Sequence, residues 1–151
     1  GRYCPRMPRA TFTHQATADA PIDEVWESLQ LAETWADIGP VEQVSDEAVG
    51  PDGLLESFRW STSVAMKRYP GTAQVISREV GEHMTLELDA REVAGTLETH
   101  LSANGQGTTV VTVTLEVVSR GTLSTLFFPV VSETIAKGLP DQVDRFAEGL
   151  G

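Results

Sequence analysis

An α+β fold is predicted: seven antiparallel strands, two short helices between the first strand and the second, and a long C-terminal helix over the apolar side of the sheet. Three observations predict it. Apolar and polar residues alternate over residues 10–18 and again, in successive runs, over residues 41–119. One stretch, ADAPIDEVWESLQLAETWADIGPV (residues 18–41), abandons that alternation for helical spacing. The tail, residues 122–150, takes up a helical period and keeps it.

The first strand, residues 10–18, puts Phe12, His14, Ala16 and Ala18 on one face and Thr11, Thr13, Gln15 and Thr17 on the other. A helix then follows, with Asp19 expected as its N-cap and Pro21 in its first turn, where a missing N–H costs nothing. Ile22, Val25, Trp26 and Leu29 have the spacing of one buried face, and Asp23 and Glu24 suit the positive end of the helix dipole. A second helix carries Leu31, Trp35 and Ile38 and is expected to stop at Gly39 and Pro40.

Six strands follow. Residues 41–49 form a weak one, closed by the turn GPDG (residues 50–53). Residues 54–66 place Phe58, Trp60, Thr62, Val64 and Met66 on one face, against Arg59, Ser61 and Ser63. A turn is expected near Tyr69, Pro70 and Gly71, before TAQVISRE, and another at Gly81. HMTLELD alternates Met84, Leu86 and Leu88 with Thr85, Glu87 and Asp89. TLETHLSA alternates Leu97, Thr99 and Leu101 with Glu98 and His100. NGQG (residues 104–107) is the strongest hairpin signal, and TTVVTVTLEVVS after it lines up Val111, Val113, Leu115 and Val117. Such short turns imply antiparallel neighbours, and a sheet apolar on one face needs one cover. In the tail, Phe128, Val131, Ile135, Leu139, Val143, Phe146 and Leu150 form the stripe that supplies it. Gly138 and Pro140 are expected to kink or split that helix.

The chain of 151 residues fits one domain, taken as residues 10–150, with residues 1–9 an N-terminal extension expected to be in part tag or disorder. A net charge of −11 argues against a nucleic-acid partner, since phosphate backbones select for clustered Lys and Arg. The basic residues are scattered apart from Arg2, Arg6, Arg9 and the pair Lys67–Arg68. Cys4, the single cysteine, excludes an internal disulfide and a thiolate metal site and fits a cytoplasmic setting. No apolar run is long enough for stable membrane insertion.

Catalytic signatures are missing: there is no G-x-S-x-G, P-loop or H-E-x-x-H. His14, His83 and His100 have no metal-ligand spacing, and neither a metal nor a cofactor is expected. His14 shares the inward face of its strand, where an imidazole can hydrogen-bond a guest or exchange a proton. The commoner case for such a residue is a core or strand-end histidine satisfied by a neighbour. Trp60, Thr62, Met84 and Thr99 share inward parity and can line a pocket or fill a core.

Order and residues together resemble the START-like, or SRPBCC, superfamily, which shares the helix-grip fold of the birch pollen allergen. The nearest group looks like the bacterial polyketide cyclase/dehydrase and lipid-transport proteins. The resemblance runs over residues 10–150. It rests on ATADAPIDEVWESL after an alternating strand, on Trp35 and Gly39 before the next strand, and on NGQGTTVVTVTLEV before the terminal helix. It implies a curved sheet gripping the long helix, with the two short helices closing one end and Trp26 as a plug. It also implies an interior that binds apolar molecules. The walls would be His14, Trp60, Thr62, Met84, Thr99 and Phe128, with Trp35 at the mouth. Three readings stay open: binding of a small, largely apolar ligand; a polyketide cyclase or dehydratase; and a protein-interaction adaptor whose cavity is filled. The sequence does not settle whether the chain is an enzyme, nor its oligomeric state.

Overall fold

The computed structural model describes residues 9–38, 42–64, 66–90, 93–119 and 121–150, with side chains at all of these except 37, 64, 67, 121–132, 134 and 135. The strands are β1 (Arg9–Ala18), β2 (Gln43–Val49), β3 (Leu55–Val64), β4 (Lys67–Glu79), β5 (His83–Ala90), β6 (Val93–Ala103) and β7 (Thr109–Ser119). Helices α1 (Ile22–Ser28) and α2 (Ala32–Ile38) lie between β1 and β2, and α3 (Gly121–Gly149) ends the chain. All seven strands form one antiparallel sheet in the order β1-β7-β6-β5-β4-β3-β2. This is the α+β arrangement, one antiparallel sheet with a long C-terminal helix, that the alternation and the helical period of the tail predict.

The strand order explains the two short helices. β1 and β2 are consecutive in sequence but occupy opposite edges of the sheet. No hairpin can join them, so α1 and α2 carry the chain across. α1 starts at Pro21, whose φ of −68° and ψ of 159° make the step from extended to helical backbone. Pro21 is therefore the N-cap, without a side-chain cap bond, and the expectation of Asp19 in that role is corrected. Proline's ring already holds φ near the helical value, so the turn begins directly after it. Gly39, Pro40 and Val41, expected to end α2 and open β2, lie outside the described residues.

Two expectations around β3 and β4 are also corrected. The hairpin turn falls at Met66, not at Tyr69–Gly71. Met66 has φ of +67° and is fully exposed, so it does not continue the inward face of β3. Tyr69, Pro70 and Gly71 instead belong to β4. Pro70 is tolerated because of its register. It lies opposite Ser61, whose carbonyl accepts from Glu42 on the β2 side. By the alternation of an antiparallel pair, the nitrogen of Pro70 faces away from β3, and that ladder loses no bond.

The terminal helix runs without interruption through Gly138 and Pro140. The expected split does not occur. Pro140 deprives the Ala136 carbonyl of one donor, but Leu139 and Val143, on either side of it, are buried at 1% and 0% exposure and hold the helix to the sheet. α3 packs along β1 and touches β7 and β3, while α1 lies over β6 and α2 lies between α3 and β2. Between these layers, Val25, Trp26, Leu29, Trp35, Met84, Leu86, Leu97, Val111, Val113, Leu115 and Val143 form one continuous core. No helix among the described residues is long and apolar enough to cross a membrane.

Candidate functional site

Register brings three of the expected wall residues into one line. His14 pairs with Val113, Val113 with Thr99, and Thr99 with Met84. These four residues form a row across β1, β7, β6 and β5 on the inner face of the sheet. At roughly 5 Å per strand, His14 and Thr99 stand about 10 Å apart. Val113, Thr99 and Met84 have no exposed surface. The row ends at His14, on the edge strand, with about a quarter of its side chain exposed.

His14 is tied down from outside the sheet. Its Nε2 lies 2.8 Å from Oδ1 of Asp144 on α3. Asp144 directly follows the buried Val143 and is half-exposed, so it sits on the margin of the helix's buried stripe. The pair fastens the terminal helix to the sheet edge and fixes the orientation of the imidazole. Among the described residues, Nδ1 has no partner, which leaves one ring nitrogen able to meet a guest. Sequence pattern placed His14 on the inner face but gave no hint of Asp144, because 130 residues separate the two.

Above the row lies α1. Gln30, four residues after Trp26, donates from Nε2 to the Trp26 carbonyl and to Sδ of Met84, and its Oε1 accepts from the Leu55 N–H. Gln30 thus ties the end of α1 to β5 and the start of β3. It was not singled out from the sequence, although its i+4 relation to Trp26 puts it on the same helical face. Two polar atoms in this layer are buried and have no partner among the described residues: Nε1 of Trp26 and Oγ1 of Thr99.

The other expected residues sit elsewhere. Trp60 pairs with Gly71, and Gly71 with Ala90. Ala90 is six residues along β5 from Met84, about 20 Å. Trp60 is largely buried and donates from Nε1 to the Thr72 carbonyl at 2.8 Å. Its ring lies so close over Gly71 that a Cβ there would collide with it, and would also come within 2.7 Å of the Asp89 carbonyl. An open groove of about 750 Å³ runs beside it, lined by Gln43, Arg59, Ser61, Pro70 and Thr72. Thr62, half-buried, pairs with Tyr69 at the same end of the sheet. Trp35 was expected at the mouth but is only 1% exposed, and its Nε1 donates to the Leu29 carbonyl at 3.0 Å. The side chain of Phe128 lies outside the described residues. A second open groove, about 440 Å³, lies between the short helices and the last turns of α3, among Thr34, Ala36, Gln142, Arg145 and Phe146.

On the outer face His83 and His100 are cross-strand neighbours, their rings 5.4 Å apart. His100 Nε2 meets Glu98 Oε1 at 2.7 Å. Among the described residues no group of three or more His, Cys, Asp or Glu side chains could hold a metal.

No protein-family model matches the sequence, and no curated protein matches it. Solved structures do. The chain is similar to the Zhui aromatase/cyclase from Streptomyces sp. R1128, with TM-score 0.68 and 19% identity over 90% of this chain and 92% of that one. It is similar to a START superfamily protein from Mycobacterium smegmatis, with TM-score 0.63 and 14% identity over 88% and 96%. A third likeness is to ginseng major latex-like protein 151 from Panax ginseng, with TM-score 0.53 and 15% identity over 87% and 99%. At these identities the likeness establishes the fold.

Proposed function

We propose that the chain is a cytoplasmic, single-domain binding protein, spanning residues 10–150, for a small, largely apolar molecule of lipid-, aromatic- or polyketide-like character. The guest lies between the inner sheet face and the terminal helix. One observation carries this reading: along the row from His14 to Met84 the wall is apolar and brings two polar groups inward, one fixed by Asp144 and one, Thr99, with no partner among the described residues. Apolar walls with a few placed polar atoms are what a site for an apolar molecule needs. Trp60 and Thr62 belong to the opposite end of that proposed cavity, Phe128 is kept as a proposed wall residue of the terminal helix, and Trp35 is a buried neighbour of its mouth. No nucleic-acid partner and no metal enter this reading.

A second reading, a cyclase or dehydratase, draws on the His14–Asp144 pair. A carboxylate that holds one imidazole nitrogen leaves the other to take or give a proton at a substrate carbon or oxygen. The likeness to an aromatase/cyclase keeps this reading in view.

Mass spectrometry of small molecules that co-purify with the protein, followed by titration with a naphthalene-based fluorophore, tests the binding reading. His14→Ala is expected to weaken binding about three- to tenfold, the worth of one hydrogen bond, with the circular dichroism spectrum unchanged. Unchanged affinity removes His14 from the site. No uptake of any apolar molecule overturns the binding reading and favours a filled interior, with the adaptor role it implies. Loss of turnover in His14→Ala at unaltered affinity selects the enzyme.

A further inference from the structure

The three tryptophans divide two to one. Trp35 and Trp60 each spend their indole N–H on a backbone carbonyl, of Leu29 and Thr72 respectively. Trp26 is just as deeply placed, at 5% exposure, yet among the described residues its N–H has no acceptor. The Thr99 hydroxyl, at 0% exposure, is in the same position. A buried polar group without a partner is costly, and Phe and Val would fill these places without that cost.

Both groups belong to one layer. Trp26 is on α1, which lies over β6, and Thr99 is on the inner face of β6. Gln30 ties the two residues' surroundings together: its Nε2 reaches the backbone carbonyl of Trp26 and the sulfur of Met84, and Met84 is the cross-strand neighbour of Thr99. The chemistry of the two groups is specific. An indole N–H only donates, and a threonine hydroxyl donates as readily as it accepts. A carbonyl oxygen, with two lone pairs and no proton, satisfies both.

We propose that Trp26 Nε1 and Thr99 Oγ1 form a two-point subsite for a carbonyl oxygen, so that the preferred guest is an apolar ketone or aldehyde whose oxo group lies beneath α1. This rests on the apolar-binding reading and names the chemical class of its ligand. Trp26 is then a recognition residue as well as a plug, and the apolar body of the guest lies against the buried wall of β5–β7.

The test compares 9-fluorenone with fluorene, which has the same rings without the carbonyl. Fluorenone is expected to bind about tenfold more tightly, the difference one good hydrogen bond makes. Thr99→Val and Trp26→Phe should each remove most of that ratio while leaving fluorene affinity in place, and Thr99→Ser should keep it. An independent readout is the indole N–H signals in a proton–nitrogen correlation spectrum, with Trp26 assigned by its loss in Trp26→Phe. Fluorenone should move the Trp26 signal downfield and leave those of Trp35 and Trp60 in place; fluorene should move none. Equal affinity of the two compounds for the wild-type chain overturns the subsite while sparing the binding reading. So does a ratio that survives both substitutions, or a Trp26 signal that still exchanges with water in the fluorenone complex. Failure of both compounds to bind overturns the binding reading and the subsite with it.

Discussion

The two halves of the sheet are built differently. β1, β7 and β6 pair without a slip, from Arg9–Val118 to Ala18–Thr109 and from Val93–Ser119 to Ala103–Thr109. The half from β2 to β5 shifts register at Ser45/Ala48, Ala48/Val49 and Val75/Ser77. It also holds Asp46 and Met66, the two non-glycine residues of positive φ among the described residues. Bulges bend and twist a strand locally, whereas a clean ladder resists both. The irregular half is where the sheet can curve around its contents. The regular half carries the terminal helix and most of the row from His14 to Met84, whose parts must keep their distances. Each half therefore suits a different demand of a gripping fold: one to hold and one to wrap.

The largest expected effect sets the two halves against each other in stability. Leu139 is buried where α3 meets the sheet, whereas Ile76 is the unpaired residue of the β4 bulge and half-exposed. Leu139→Ala should cost about 2–5 kcal/mol, the transfer term plus the cavity left behind. Ile76→Ala should cost less than about 0.5 kcal/mol. Urea unfolding of both variants measures the contrast, and similar losses would show that the halves are equally loaded.

A smaller effect probes the ladder itself. A Cβ at Gly95 would come within 2.6 Å of the Glu116 carbonyl, an atom of the partner strand that no rotamer can move. Gly95→Ala should therefore force β6 from β7 and cost about 1–3 kcal/mol, as overpacking does. Hydrogen exchange should rise at Thr96 and Val117 and their neighbours and stay unaltered in β2. Uniform exchange across the sheet would mean that the two halves do not open separately.

Much of this fold is legible in the sequence, because a buried face on one side of a strand leaves a period of two that few other structures produce. Ala10 to Ala18 and Thr109 to Ser119 could be assigned to faces residue by residue. What was misread follows a common cause. Tyr69–Pro70–Gly71 looks like a turn, and only the register with Ser61 shows why a proline is harmless there. Met66 continues the alternation of β3 in sequence while the chain has already turned. Local pattern carries no register. For the same reason the row from His14 to Met84 was half legible: each residue's inward parity could be read, but their alignment depends on four strands pairing in one frame. Asp144 as the partner of His14, and a Trp26 indole with no acceptor among the described residues, could not be read at all, since such pairings are facts of tertiary structure. Pro140 failed as a helix breaker because burial on both sides outweighs one lost hydrogen bond.

The smallest effect lies at the far tip of the irregular half, in the turn between β4 and β5. Glu79 and Glu82 face each other across Gly81, and the Glu82 amide donates to the Glu79 carbonyl at 2.9 Å. The carboxyl of Glu82 is held above its ordinary pKa of 4.5, first by a side-chain hydrogen bond with Glu79 and then by the charge of Glu79, with a little desolvation adding and His83 opposing. A carboxyl raised on folding makes the folded state the better proton binder. Its stabilisation is fully present below the unfolded pKa and is lost as pH rises through the folded one. Glu79→Gln removes the repelling charge. The difference in unfolding temperature between variant and wild type should therefore move in the variant's favour as pH rises from below 4.5 into the neutral range. The effect should be small, because the turn is solvated, and should shrink further in high salt. A difference that is flat with pH, or that grows with salt, would show that the turn is held by something other than these two charges.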